Sequence, residues 1–243
     1  MRGLVIIASA IFATTAFAGP HRYSLADLQT LVGKGAYEEA FQHLGDIAPG
    51  ERKAAWIDVG AAASAGLVAM VPANDGTAIL VIDQIDRAYP QLLGSATYSK
   101  PRAEKGPKAL AGCFARGYDA DECVALAERF VAATPALAFE VAKVVRRGGS
   151  SASALPMFER VLGKDKSACK DEDAKLAILA GLDLSEAASA KRLMATCWDA
   201  IKDDVIRAFD AATAGSDLHR NTCELLIAKK QLSSLQIKIC NRR

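Results

Sequence analysis

Aromatic residues make up only 6% of the chain, and few stretches alternate Val or Ile with polar residues. Strands are built from β-branched and aromatic side chains, so this scarcity argues against a sheet. Histidine is scarcer still, with only His21, His43 and His219 present. The chain has no GxSxG, no HExxH, no phosphate-binding glycine loop, no GxGxxG and no CxxC. No serine stands in a nucleophile-elbow context, and no convergent catalytic set emerges. Neither a catalytic residue nor a cofactor is expected. Charge of one sign is also lacking: the net is +2 without a basic motif, which leaves nucleic acid out as a partner. Beyond the N-terminus no run approaches the ~20 apolar residues of a membrane span. Residues 59–71 (VGAAASAGLVAMV) come nearest, and their small side chains suit a tightly packed buried helix.

The N-terminus itself reads as an export signal. Arg2 supplies a positive start, residues 4–17 are apolar, and Ala16-Phe17-Ala18 is a small-x-small cleavage signal before Gly19. No cysteine follows the apolar run, so no lipoprotein anchor is expected. Residues 1–18 should be removed and the mature product secreted or periplasmic. His21 would then stand third in the new chain, a position that can help bind copper or nickel. Pro20 has no N–H to surrender, which blocks that site.

Alanine supplies much of the 51% apolar content, and alanine favours helix. Residues 138–162 set the pattern. Phe139, Ala142 and Val145 recur at helical spacing before Gly148-Gly149, and Ala154, Met157 or Phe158 and Val161 recur after it. Two short helices joined by a few Gly/Ser residues pack antiparallel. Neither buries its whole stripe on the other, so the hairpin needs neighbours. Residues 24–47 repeat the design: Ser24 with Asp27 is a capping-box start, Leu25, Leu28, Leu31 and Val32 form a stripe, and Gly33 and Gly35 break it. Tyr37, Ala40, Phe41, Leu44 and Ile47 then make a second stripe.

Gly35-x-Tyr37-x-x-Ala40-x-x-x-Leu44 resembles the tetratricopeptide repeat, whose helix pair carries a glycine and an aromatic at its turn. Trp56-x-x-Val59-Gly60 resembles the start of a next repeat, and Ala78, Ile82, Ile85 and Pro90 its second helix. Ala142 and Ala154 show the family's twelve-residue offset, with Phe158 in the aromatic place. The likeness covers about half the mature chain and never the unbroken consensus. It implies an all-α fold of stacked antiparallel helical hairpins, a tetratricopeptide-like solenoid. It also implies a groove for a protein or peptide partner.

The expected division is a signal peptide over 1–18, helical hairpins over 19–93, a Pro/Gly/Lys-rich connector over 94–108 and a cysteine-containing helical region over 109–243. Further helices are expected near 110–115, 121–133, 171–182, 185–201, 203–212, 217–229 and 232–240. Cys113, Cys123, Cys169, Cys197, Cys223 and Cys240 all fall in the C-terminal half. An even number in an exported chain implies disulfides. Placement on the helices favours sequential pairing, Cys113–Cys123, Cys169–Cys197 and Cys223–Cys240, one staple per hairpin. A solenoid has no central core, and closing a loop of this size contributes roughly 3 kcal/mol. The rival is metal. His219 and Cys223 lie four apart on one helical face, but two ligands do not make a zinc site, which takes four. No metal is expected.

The remaining candidates each have a structural explanation. Asp119, Asp121 and Glu122, and Asp171, Glu172 and Asp173, sit where helices start, as dipole complementation requires. A glycosidase-like acid pair hidden there would make the chain an enzyme on envelope polymers. Arg146 and Arg147 end a helix, where cations suit the dipole, and they are the candidate carboxylate clamp for a partner. His43 reads as an edge-of-core histidine, and Trp56 and Trp198 as core. Residues 19–95 hold five Lys/Arg against nine Asp/Glu (net −4), and residues 216–243 hold six against two (net +4). Such polarity can steer a partner to one end, or it can reflect solvated helix faces. The functional expectation is an exported binding or scaffold protein, with the enzyme and a purely structural secreted protein as alternatives.

Overall fold

A computed structural model describes residues 22–185, 187–233, 236–237 and 240. Among the described residues the chain is all-α, 79% helical with 12 α-helices and no strand. The signal segment, His21 and part of the helix expected over 232–240 lie outside the described residues. The chain divides into two units, the first ending at Tyr118 and the second starting at Asp119.

The first unit contains α1 (Leu25–Gly33), α2 (Tyr37–Gln42), α3 (Ala54–Met70), α4 (Thr77–Ala88) and α5 (Ala96–Ala115). The expected capping box starts α1: Asp27 N–H donates to Ser24 Oγ at 3.3 Å and Ser24 N–H to Asp27 Oδ2 at 2.8 Å. Gly35, at φ 76°, turns the chain; its N–H donates to the Val32 carbonyl, and that of Ala36 to Leu31. α3 packs against α1, α2, α4 and α5. A helix touched on several sides must be apolar on several sides, which accounts for its lack of a polar face. Trp56 is fully buried there, and its indole N–H donates to the Leu44 carbonyl at 3.1 Å. The Tyr37 ring lies directly over Gly66, leaving no space for a β-carbon.

Residues 94–108, expected as a connector, are mostly helical: α5 runs through them with Pro101 and Pro107 inside it. The reason is a buried face at helical spacing made by Tyr98, Arg102, Gly106, Ala109, Leu110 and Cys113. Arg102 and Gly106 do not register as apolar in the sequence, so the stripe is hidden. Arg102 is buried because Asp86 of α4 takes its guanidinium, with Nε 2.8 Å and Nη2 2.5 Å from Oδ2. The Tyr98 hydroxyl donates to the same carboxylate at 2.7 Å. Lys105 reaches from α5 to the carbonyls of Val68 and Val71 and so caps α3 from outside.

The second unit contains α6 (Ala120–Ala133), α7 (Ala138–Arg147), α8 (Ser151–Leu162), α9 (Glu172–Leu182), α10 (Ala188–Thr196), α11 (Trp198–Ala211) and α12 (Asp217–Ala228). α7 and α8 form the expected hairpin. Val141, Ala142 and Val145 are buried against Ala154, Leu155, Phe158 and Leu162, and Phe139 meets Phe158 edge-on at 5.5 Å. Gly149, at φ 92°, ends α7, and the Ser150 N–H donates to the Val145 carbonyl. The helices expected over 185–201 and 203–212 divide elsewhere. Cys197 leaves the helical region (φ −97°, ψ 12°), so α10 ends before it and α11 begins after it. Its bond to Cys169, with Cα atoms 5.3 Å apart, holds it there. Cys223 and Cys240 are also bonded, with Cα atoms 5.7 Å apart. Both links are among those expected. No described cysteine is free, and Cys113 and Cys123 are disulfide-bonded as well.

Candidate functional site

A cleft on the first unit lies where α1 begins. It measures about 510 Å³ and is lined by Arg22, Tyr23, Asp46, Ile47, Ala48 and Glu51, among others. Its wall is built from a network that joins the segment before α1 to the turn after α2. The Tyr23 ring stacks on His43, with centroids 4.1 Å apart. The Tyr23 N–H donates to Asp46 Oδ2 at 3.2 Å, and the Tyr23 hydroxyl to Glu39 Oε1 at 2.6 Å. That acceptor raises the phenol's pKa above its ordinary value, because it favours the protonated form.

Asp46 also stands 2.9 Å from His43 Nδ1. An ionised carboxylate only accepts, so Nδ1 carries the proton and the lone-pair nitrogen of the neutral ring is Nε2. His43, expected at the edge of the core, is about one-third exposed and oriented by both neighbours. Beyond the turn, Arg52 donates to the Ile47 carbonyl at 2.9 Å, and its guanidinium lies over Trp56 at 5.3 Å from the ring centroid. The turn is therefore rigid, with carboxylates at its rim. The i, i+3 spacing of His43 and Asp46 was a visible signal for this pair. The link to Tyr23, 23 residues before Asp46, had none.

Arg146 and Arg147 end α7 as expected, but both reach Asp173 in the first turn of α9. Arg147 Nη2 is 2.5 Å from Asp173 Oδ2, and Arg146 pairs with Oδ1. Lys143, one turn earlier, lies 3.3 Å from Asp171. The arginine clamp and one of the acid clusters are thus the two halves of one α7–α9 contact. Burial pushes the Asp173 carboxyl up, but hydrogen bonds from Arg147 and Arg146 outweigh it and hold it below the ordinary range. Asp171 also caps α9, accepting from the Asp173 N–H at 2.9 Å. The other cluster serves α6: Asp119 accepts from the Asp121 N–H at 2.8 Å, and Asp121 and Glu122 are exposed in the first turn. Trp198 is buried beside Cys197, with Lys229 5.9 Å from its ring centroid.

Comparison with family models, with curated proteins and with solved structures gives no match. Three disulfide-compatible cysteine pairs fit an extracellular or periplasmic setting. Among the described residues no helix is long and apolar enough to cross a membrane.

Proposed function

We propose that this protein is an exported, non-catalytic binding or scaffold module of the cell envelope or exterior, built as a tetratricopeptide-like stack of helical hairpins, whose partner is a protein or peptide. The contact pattern in the second unit supports the stack: each helix from α7 to α10 touches both the next and the next but one. Stacked hairpins pack in this way, each unit burying a face that its neighbour leaves open. α9 also meets α11 and α12, so the stack closes on itself at that end.

The partner contact is the cleft at the start of α1, and the acidic rim at this rigid turn is the observation that carries it. Glu51 is exposed there, and Asp46 is partly so. Residues 19–95 hold an excess of four acids. A basic peptide segment fits such a rim, with the Tyr23–His43 stack offering a flat face for an arginine.

The test is crosslinking of the mature protein in its native envelope, followed by mass spectrometry, with a reduced sample as control. A Glu51→Lys variant provides the second arm. The expected result is one dominant partner, captured by the wild type and lost with Glu51→Lys. Its isolated basic segment should bind the purified protein more weakly as salt rises. Equal capture by both variants would reject the cleft, and nothing above background would reject the binding reading.

A further inference from the structure

α12 carries His219 and Cys223 four residues apart on one face, and both are buried, each only 6% exposed. The imidazole is held in place by Phe209 of α11, stacked on it at 4.8 Å with the planes 19° apart. Its Nδ1 lies 3.7 Å from Cys223 Sγ. Cys240 returns from beyond α12 to bond Cys223, and the donor atoms of the three residues all lie within 4.8 Å of one another. Among the described residues no other group of three histidine, cysteine or acidic side chains is gathered in this way.

We propose that reduction of Cys223–Cys240 converts this corner into a binding site for a soft or borderline cation, Zn²⁺ or Cu⁺. The ligands would be the two thiolates and His219 Nδ1. The reduction is a thiol–disulfide exchange with an external dithiol. The dithiol gives up two electrons and two protons and becomes a disulfide; the Cys223–Cys240 bond breaks and two thiols form. Metal binding then displaces the two thiol protons without further change of oxidation state.

The geometry is largely in place. Zn–S bonds of about 2.3 Å and Zn–N bonds of about 2.0–2.1 Å at tetrahedral angles put nitrogen and sulfur roughly 3.6 Å apart. His219 and Cys223 already stand at that spacing. Only the Cys240 sulfur has to move, to about 3.8 Å from its former partner, and Cys240 is the least buried of the three. The fourth zinc position is left to water or to a group from elsewhere, whereas Cu⁺ suits three such ligands. This site is independent of the cleft on the first unit.

The test uses the full mature chain, reduced with a dithiol, freed of it without air and titrated with Co²⁺ as a spectroscopic probe. Zn²⁺ affinity is then read against a chromogenic chelator. The expected result is one Co²⁺ per chain with thiolate charge-transfer absorption, displaced by Zn²⁺, and no uptake by the oxidised protein. Cys169→Ser with Cys197→Ser should bind as the wild type does, and His219→Gln should lose at least tenfold in affinity. His219→Cys restores a third donor and should recover binding. No uptake by the reduced wild type would overturn the proposal, as would uptake indifferent to His219→Gln. If His219→Gln does not fold, the His219→Cys chain decides: binding supports the site and its loss rejects it.

Discussion

Gly66 carries more of the first unit than its size suggests. The Tyr37 ring occupies the place a β-carbon would take, so α2 and α3 approach as closely as a missing side chain allows. Gly66→Ala should cost about 1–3 kcal/mol through overpacking, read as a lower denaturation midpoint with an unchanged m-value. Lys230 is the opposite case. It ends α12 in the left-handed region at φ 56°, where its N–H donates to the Ile227 carbonyl and that of Gln231 to Leu226. Gly35 and Gly149 do the same work in the same geometry, so the lysine side chain is what strains this turn. Lys230→Gly should stabilise the protein by about 1 kcal/mol, visible as a raised Tm. Tyr37 stood out in the sequence as a repeat aromatic, and Lys230 falls between the helices expected over 217–229 and 232–240. Their conformational cost was not visible there, because it depends on a neighbour and on a φ angle.

Among the elements, α7 and α9 show how paired charges hold helices together. Asp173 is buried and answers two arginines, so removing its charge leaves two guanidinium groups without their partner. Asp173→Asn should cost about 2 kcal/mol at neutral pH, because the arginines it leaves behind are partly solvated. The pH dependence follows from the direction of its shift. The folded carboxyl titrates below its ordinary value, so its stabilisation is complete above the unfolded pKa, about 4, and is lost as pH falls through the folded value. Wild type and Asp173→Asn should therefore differ most at neutral pH and converge in acid, measured by urea unfolding across the range. The sequence displayed Arg146-Arg147 and Asp171-Glu172-Asp173 plainly, but as separate features. Each had a sufficient local explanation at its own helix end. Their meeting depends on how α9 docks, 26 residues further along.

For the whole molecule, disulfides replace part of what a single central core would supply. Cys169–Cys197 closes 28 residues and Cys223–Cys240 closes 17. In the loop-entropy relation these contribute about 3.6 and 3.1 kcal/mol respectively. Replacing Cys169 and Cys197 together by serine should lower stability by about that first amount, measured by denaturant unfolding in the absence of reductant. Loss of binding at the α1 cleft in the same variant is not expected, because the cleft belongs to the other unit.

What the sequence by itself determined is local. Helical periodicity, the Ser24–Asp27 cap, the glycine breaks and the order of the cysteines each act within a few residues or along one hairpin. They were enough for an all-α chain with the bonds Cys169–Cys197 and Cys223–Cys240. What only the tertiary structure decided involves partners far apart in the chain. The connector became α5 because Asp86 neutralises Arg102, and because Lys105 finds carbonyls 37 and 34 residues away. The carboxylate clamp closed on Asp173, and His219 gained a second sulfur donor when Cys240 folded back. A buried charge or a third ligand is favourable only once its partner is in place. That placement is a property of packing, and no spacing along the chain records it.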